Sequence, residues 1–483
     1  MAAPNFSDDP SAQGFFSPMR FDGEVYDCEV EGEIPSDLEG TFYRVGPNRA
    51  YPQRFADDIP FNGDGMASMF RIGGGACDFK QRYIHTQRYL AERSARQALF
   101  GRYRNRKSAD PSVQGLSLGT ANTHIYWHAG KLMALKEDSP PVLVDPHTLE
   151  TLDNYHTFNG AVSSLTFTAH PKVDPRTGEM IAFGYEAKGD NTTDVAIYTF
   201  DREGNKTWEV WVNAPYVSMM HDMAVTENYI LIPTTGYATS QERLDAERVH
   251  WAYDRERPIY TLVIPRGGSA SDMRMFAGPH GCMVHTVAAN ERGGRLMMDV
   301  QSSDGNAFPF FTEVDGAPFN PATARSTIRR WTMDLNSGDD RAVEETIFEE
   351  INSGLPRFDE RYTATDYRIG FSSEGGPQGA SMARWNIETK EVVRGAVGEG
   401  RSLSETVFAP RRRNGREGDG YLLAVASHPE NMCSELVVMD AERLDEGVIA
   451  RVVLPFRAHS QVHGSWVPRW DVDYPDTMTE RPV

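Results

Sequence analysis

The sequence predicts an all-β protein closed into a β-propeller, and three observations carry that expectation. A hairpin pattern recurs from about residue 130 to the end: an apolar or alternating run, a turn opened by Asp or Asn, then a second run. The chain holds 42 glycines and 29 prolines, the punctuation of a backbone with many reversals. Four histidines, His170, His221, His285 and His463, close or follow strand-like apolar runs at intervals of 51, 64 and 178 residues. The long interval is close to three of the shorter ones. Large propeller blades would each deliver one side chain to a common axis at such spacings.

Taken in order, the first residues, MAAPNFSDDPSAQGFF, lack the basic and apolar regions of a secretory signal, and residues 1–14 are expected as a flexible leader. Residues 85–115 interrupt the β pattern. Their centre is rich in Ala, Leu, Glu, Arg and Gln, which reads as a helix, and Asp110-Pro111 marks a break after it. The segment carries Arg88, Arg93, Arg96, Arg102, Arg104 and Arg106. Inserted in a propeller it would lie over one face as a lid; the alternative is a solvated surface helix. Six hairpins follow: VLVDPHTLETLD, PKVDPRTGEMIAFG, YTFDREGNKTWEVWV, RWTMDLNSGDDRAVEETIF, RWNIETKEVVRGAVG and VVMDAERLDEGVIARVVL. Asp and Asn open such turns by bonding their own backbone. No low-complexity linker divides the chain, so residues 1–483 read as one domain.

Composition excludes several classes. A formal charge of −20 and a pI near 5.1 repel phosphate backbones and anionic lipid, so nucleic acid is not an expected partner. No apolar stretch approaches the roughly 18 residues of a membrane span. The expectation is an acidic cytoplasmic protein. Cys28, Cys77, Cys282 and Cys433 are scattered without a CxxC pair, which fits buried small hydrophobes rather than a zinc ribbon or disulfide framework. GLSLG at 115–119 matches G-x-S-x-G, but a basic stretch precedes it and a strand follows, the wrong context for a serine nucleophile.

Three histidine pairs compete with the dispersed four: His124 with His128, His280 with His285, and His459 with His463. Along a strand a separation of four residues places two side chains on one face but about 13 Å apart, so each pair supplies at most one metal ligand. The dispersed four, in matching contexts, point to an all-imidazole site for zinc, copper, iron or nickel. A ligating histidine usually donates its other ring N–H to a carboxylate. Glu137 and Glu405, at the edges of apolar runs, could serve in that way or be plain surface acids.

IPSDLEGTFYRVGPN, FNGDGM, ANTHIYWHAGKLMALKED, TAHPKVDPRTGE, MHDMAVTENYI, LPRFDERY, SETVFAP and VHGSWVPRWD occur in this order along the chain. Together they resemble the carotenoid cleavage oxygenase family, and within it the bacterial lignostilbene-cleaving branch. Asn62 stands where the family usually has Asp. The resemblance implies a seven-bladed β-propeller under a dome of loops and short helices. It implies one Fe2+ held by His170, His221, His285 and His463, with O2 as co-substrate. Glu137 and Glu405 match two of the family's three outer glutamates; the third position carries Gly354, with Glu350 as a nearby acid. Phe61 would stack on an aryl ring, while Tyr103 and Lys136 would hydrogen-bond a 4-hydroxyl and promote its ionisation.

The activity so implied is cleavage of the central C=C bond of a 4-hydroxystilbene, of lignostilbene or resveratrol type, into two aromatic aldehydes. An apocarotenoid substrate on the same fold is the alternative, and a non-catalytic binding propeller the third reading. The arginine-rich segment 85–115 favours the smaller, more soluble substrate. A homodimer is among the expected assemblies. Lys136 and Glu137 are adjacent, and neighbours in a regular strand face opposite ways. Both can reach one site only if the strand ends or bulges there.

Overall fold

Each of the six hairpins turns on a bond from its own Asp or Asn. Asp145 accepts from the N–H groups of His147 and Thr148 at 2.8 and 2.7 Å, and Asp174 from Arg176 at 3.0 Å. Asp201 accepts from Glu203 and Asn205 at 3.1 and 2.8 Å, and Asp334 from Asn336 at 2.9 Å. Asn386 accepts from Glu388 at 2.9 Å and Asp440 from Glu442 at 2.9 Å. These contacts span two to four residues, so they fix each reversal locally.

The computed structural model describes residues 6, 12–14, 17–352, 355–376 and 379–472. Its strands form a seven-bladed β-propeller of antiparallel sheets. The first blade is built on Gly40–Pro47, Gly65–Gly73 and Ala76–Tyr83. The next five follow in chain order, with inner strands His124–His128, Lys172–Asp174, Ala224–Val225, Cys282–Arg292 and Arg357–Phe358. The seventh has Val407–Pro410 innermost.

Both ends of the chain close the ring. His463–Pro468 pairs with Gly40–Pro47, His463 opposite Val45, and becomes the inner strand of the first blade. Glu29–Gly32 pairs with Val448–Val453 at the rim of the seventh blade. Phe42, Phe70 and Phe79 of the first blade share one buried cluster with Leu423, Leu436 and Val438 of the seventh. Gly464 is demanded by this closure, since a Cβ there would lie 2.1 Å from the Tyr43 carbonyl oxygen.

Residues 85–115 contain less helix than the sequence suggests. The helix runs only over Gln87–Ala95, with short turns at Arg106–Ser108 and Pro111–Val113. Thr86 caps its start by accepting from Tyr89 N–H at 3.1 Å. Arg96 ends it in the left-handed region, φ 55°. The buried Glu92 carboxylate then accepts from Leu99 and Phe100 N–H, each at 2.9 Å, and draws the chain back across the helix. Nor is the segment solvated throughout, because Arg88 and Arg104 are buried. Arg104 pairs with Glu186 at 2.7 Å and donates to the Tyr185 hydroxyl at 2.6 Å.

Arg88 explains Asn62. Its guanidinium donates to Asn62 Oδ1 at 2.7 Å, while Asn62 Nδ2 donates to Asp58 at 2.7 Å and to the Gly101 carbonyl at 2.8 Å. An aspartate could not make the last two bonds and would face Asp58 with like charge. Asn62→Asp is therefore expected to cost about 1–3 kcal/mol of stability in urea unfolding. Asp58→Asn in the same chain should recover part of the loss, because the two positions share one contact. Simple addition of the two losses would remove this account of Asn62.

Positions 1–5 and 7–11 of the expected leader lie outside the described residues. Among the described residues no helix is long and apolar enough to cross a membrane. The four cysteines are free; Cys28, Cys77 and Cys282 are buried.

Candidate metal centre and substrate cavity

The four spaced histidines meet at the axial ends of four blades. His170 and His221 lie just ahead of Lys172–Asp174 and Ala224–Val225, His285 sits at a register irregularity in Cys282–Arg292, and His463 opens the closing strand. Successive Nε2 atoms are 3.0 Å apart (His170, His221), 3.1 Å (His221, His285) and 3.3 Å (His285, His463). One nitrogen from each lies within 4.8 Å of all the others. Burial, and then the neighbouring imidazoles, hold His170 and His285 well below the ordinary histidine pKa. Burial also lowers His463, although Glu405 works against it. For these three rings burial thus favours the neutral form, the one that ligates a metal.

The convergence makes a donor group. His221 and His463 face carboxylates through Nδ1, which turns each Nε2 toward the other imidazoles. The four ring nitrogens, 3.0–3.3 Å apart in succession, offer one cation a shared donor set. Nitrogens about 2.1 Å from a shared ion stand about 3.0 Å apart at right angles, so the donor group fits a divalent transition metal.

Lys131–Leu135 ends one residue before Lys136. Lys136 and Glu137 therefore leave the strand's alternation and both reach the site. Glu137 binds His221 Nδ1, and its pKa is lowered to about 2: burial opposes the charge, but His221 and Lys136 outweigh it. Glu405 accepts from His463 Nδ1 at 2.8 Å, Arg357 at 3.0 Å, Arg44 at 2.9 Å and Gly464 N–H at 3.0 Å. Burial would raise its pKa; Arg357, His463 and Arg44 hold it well below the carboxylate range. Glu→Gln at either position should weaken metal retention roughly 10–100-fold in chelator competition. Wild-type retention in both variants would reduce them to structural acids.

Position 354 lies outside the described residues. Glu350 is exposed and lines neither cavity beside the histidines, so it does not replace the third glutamate. The acid facing His285 is Asp222, which offsets part of that ring's lowering. Asp222 is held by Lys172 at 2.8 Å and accepts from Thr286 N–H at 2.9 Å. Sequence reasoning missed Asp222, Arg44 and Arg357; the only signal for Asp222 was its place beside His221. His124 also reaches the axis, but its Nδ1 lies 2.8 Å from the Ala169 carbonyl, which turns the ring away from the group of four.

A cavity of about 390 Å³ opens on His221, His285 and His463 and lies within the range of small-molecule sites. Phe61, Tyr103 and Lys136 all line it. Phe61 packs edge-on against Phe308 and Phe310, at 5.7 and 5.1 Å between centroids. Lys136 is buried, which lowers its pKa. Its ammonium donates to the Phe61 carbonyl at 2.9 Å and Asn122 Oδ1 at 3.2 Å, and sits 4.8 Å from the Tyr103 ring centre. A lysine has three donors, so one N–H is left for a ligand. Asn122 ties the arrangement together by donating to the Phe61 and Gly63 carbonyls at 2.9 and 2.7 Å.

The family model described as retinal pigment epithelial membrane protein matches residues 16–468. The chain belongs to this family, the carotenoid oxygenases. Lignostilbene-alpha,beta-dioxygenase isozyme III of Sphingomonas paucimobilis is 40% identical, covering 96% of this chain and 98% of the relative. Isoeugenol monooxygenase of Pseudomonas putida is 39% identical over 95% of this chain and 98% of its own. The crystal structure of Pseudomonas brassicacearum lignostilbene dioxygenase superposes with a TM-score of 0.91 at 36% identity, covering 97% of this chain and all of that one. The lignostilbene dioxygenase structure shares the fold of this chain, and both sequence relatives match it over nearly their whole length.

Proposed function

We propose that this chain is an iron(II)-dependent dioxygenase that cleaves the central C=C bond of 4-hydroxystilbenes, of lignostilbene or resveratrol type, into two aromatic aldehydes. The observation that carries the reading is the spare N–H of Lys136 in an aromatic-walled cavity that ends on four converging imidazoles. Relatives named for lignostilbene cleavage support the substrate class.

His170, His221, His285 and His463 would hold the iron, and iron(II) supplies the one-electron chemistry that lets O2 react with an alkene. The chain's own residues do the rest. Phe61 offers a ring edge and face to the substrate's aryl group. Lys136 Nζ and the Tyr103 hydroxyl receive the 4-oxygen, and the ammonium stabilises phenolate over phenol. The conjugated alkene gains electron density from that phenolate. Val284, Phe308 and Phe311 keep the wall apolar and limit water.

Iron-loaded protein supplied with resveratrol, a 4-hydroxystilbene, isoeugenol and an apocarotenal tests the reading by oxygen uptake and product analysis. One O2 consumed per stilbene, with two aldehydes formed, is the expected result. Turnover of the apocarotenal alone would replace the stilbene reading with the carotenoid one.

A further inference from the structure

We propose that Gln301 and Ser326 form a second recognition subsite, which takes a hydroxyl group on the stilbene ring remote from the 4-hydroxyl. The inference rests on the stilbene reading of this cavity and assigns the substituent its other end prefers. Gln301 lies in Arg295–Ser303 of the fifth blade, directly opposite His285. It therefore stands beside a histidine of the metal centre on a wall separate from Lys136, which comes from the second blade. Ser326 opens the next strand, Ser326–Asp334, opposite Ser303. Opposed residues of antiparallel strands, and residues two apart, share a face, so Gln301, Ser303 and Ser326 are presented together.

Their side chains then differ in what they touch. The Ser303 hydroxyl donates to the Gly305 carbonyl at 2.7 Å. Gln301 and Ser326 are only 4% and 7% exposed and both border the cavity. Neither side chain makes a hydrogen bond to any described residue. Buried polar groups are nearly always partnered, so two unpartnered ones facing the same space mark where a ligand's polar atom belongs. Around them the wall is apolar, with Val284, Ala307 and Phe308. Few polar groups on an apolar wall are what fix a ligand's orientation.

The chemistry selects the partner. An amide offers a donor and an acceptor, and a serine hydroxyl offers both as well. Among the described residues no cationic side chain stands on this wall, so a neutral hydroxyl, able to give and receive, fits better than a carboxylate. Because both residues sit on paired strands, the subsite is held rigidly and its preference should be sharp.

The test compares kcat/KM for 4-hydroxystilbene with that for the same molecule carrying a hydroxyl on the far ring. Wild type is expected to prefer the second by about 3–10-fold, the worth of one neutral hydrogen bond. The ratio should fall to about 1 in Gln301→Met and partway in Ser326→Ala. It should survive in Lys136→Met, whose loss concerns the 4-hydroxyl. Ser326→Ala removes a single oxygen, so it carries the test if Gln301→Met folds poorly. A wild-type ratio near 1, or a ratio retained in both far-wall variants, overturns the subsite while leaving the activity intact. No cleavage of either stilbene overturns the proposed activity and the subsite together.

Discussion

Alanine in place of His170, His221, His285 or His463 is expected to cost the protein its bound metal and to reduce stilbene cleavage by at least roughly 10³-fold, with the propeller still folded. The four Nε2 atoms form one group, each within 4.8 Å of the rest, so no single ring is dispensable to a shared ion. The fold does not rely on them in the same way. The apolar clusters between blades, such as Phe42, Phe70 and Leu423 at the closure, lie away from the axis and stay intact. Iron content by metal analysis and a thermal melt separate the two effects. A variant that keeps full iron and turnover removes that histidine from the centre.

Lys136→Met is the second large effect, expected at about 10²–10³-fold in kcat/KM, comparable to the loss of one oxyanion donor. Iron content should hold, because Lys136 touches no ring of the histidine group among its hydrogen bonds. The packing should hold as well. Asn122 still donates to the Phe61 carbonyl at 2.9 Å, and Thr123 still donates to Asn122 Oδ1 at 3.1 Å, so neither acceptor is orphaned. A 4-methoxystilbene cannot ionise and should be a poor substrate of the wild type. In Lys136→Met the hydroxy and methoxy substrates should converge, since the mutation and the methyl group remove the same interaction. Equal turnover of the two by wild type would defeat the phenolate role of Lys136.

Much of the architecture could be read from the chain, for reasons visible in particular residues. The six Asp- and Asn-opened turns were legible because the bond that makes each turn runs within two to four residues. The histidines were legible because a propeller repeats at nearly constant spacing, and a one-per-blade pattern survives in the numbering. Segment 85–115 was less so. The composition of its centre favours helix up to the break at Asp110-Pro111, but the inward turn of Glu92 onto Leu99 and Phe100 is a tertiary event that no propensity records. The burial of Arg88 and Arg104 follows from Asn62, Glu186 and Tyr185, which are distant in sequence. Asp222 and Gln301 stayed hidden for the same reason: their meaning comes from what stands across the strand, and an isolated Asp or Gln carries no such mark.

The ring closure also sets an order of events for the living chain. His463 belongs to the last strand among the described residues and pairs opposite Val45, so the fourth nitrogen comes into place only when that strand is sewn onto the first blade. A nascent chain still short of that strand holds at most three of the four rings. Contacts between such distant segments form late, because a long loop must close before they reward it. Completion of the four-nitrogen site is thereby tied to closure of the ring, and a propeller still open at that seam presents an incomplete donor set.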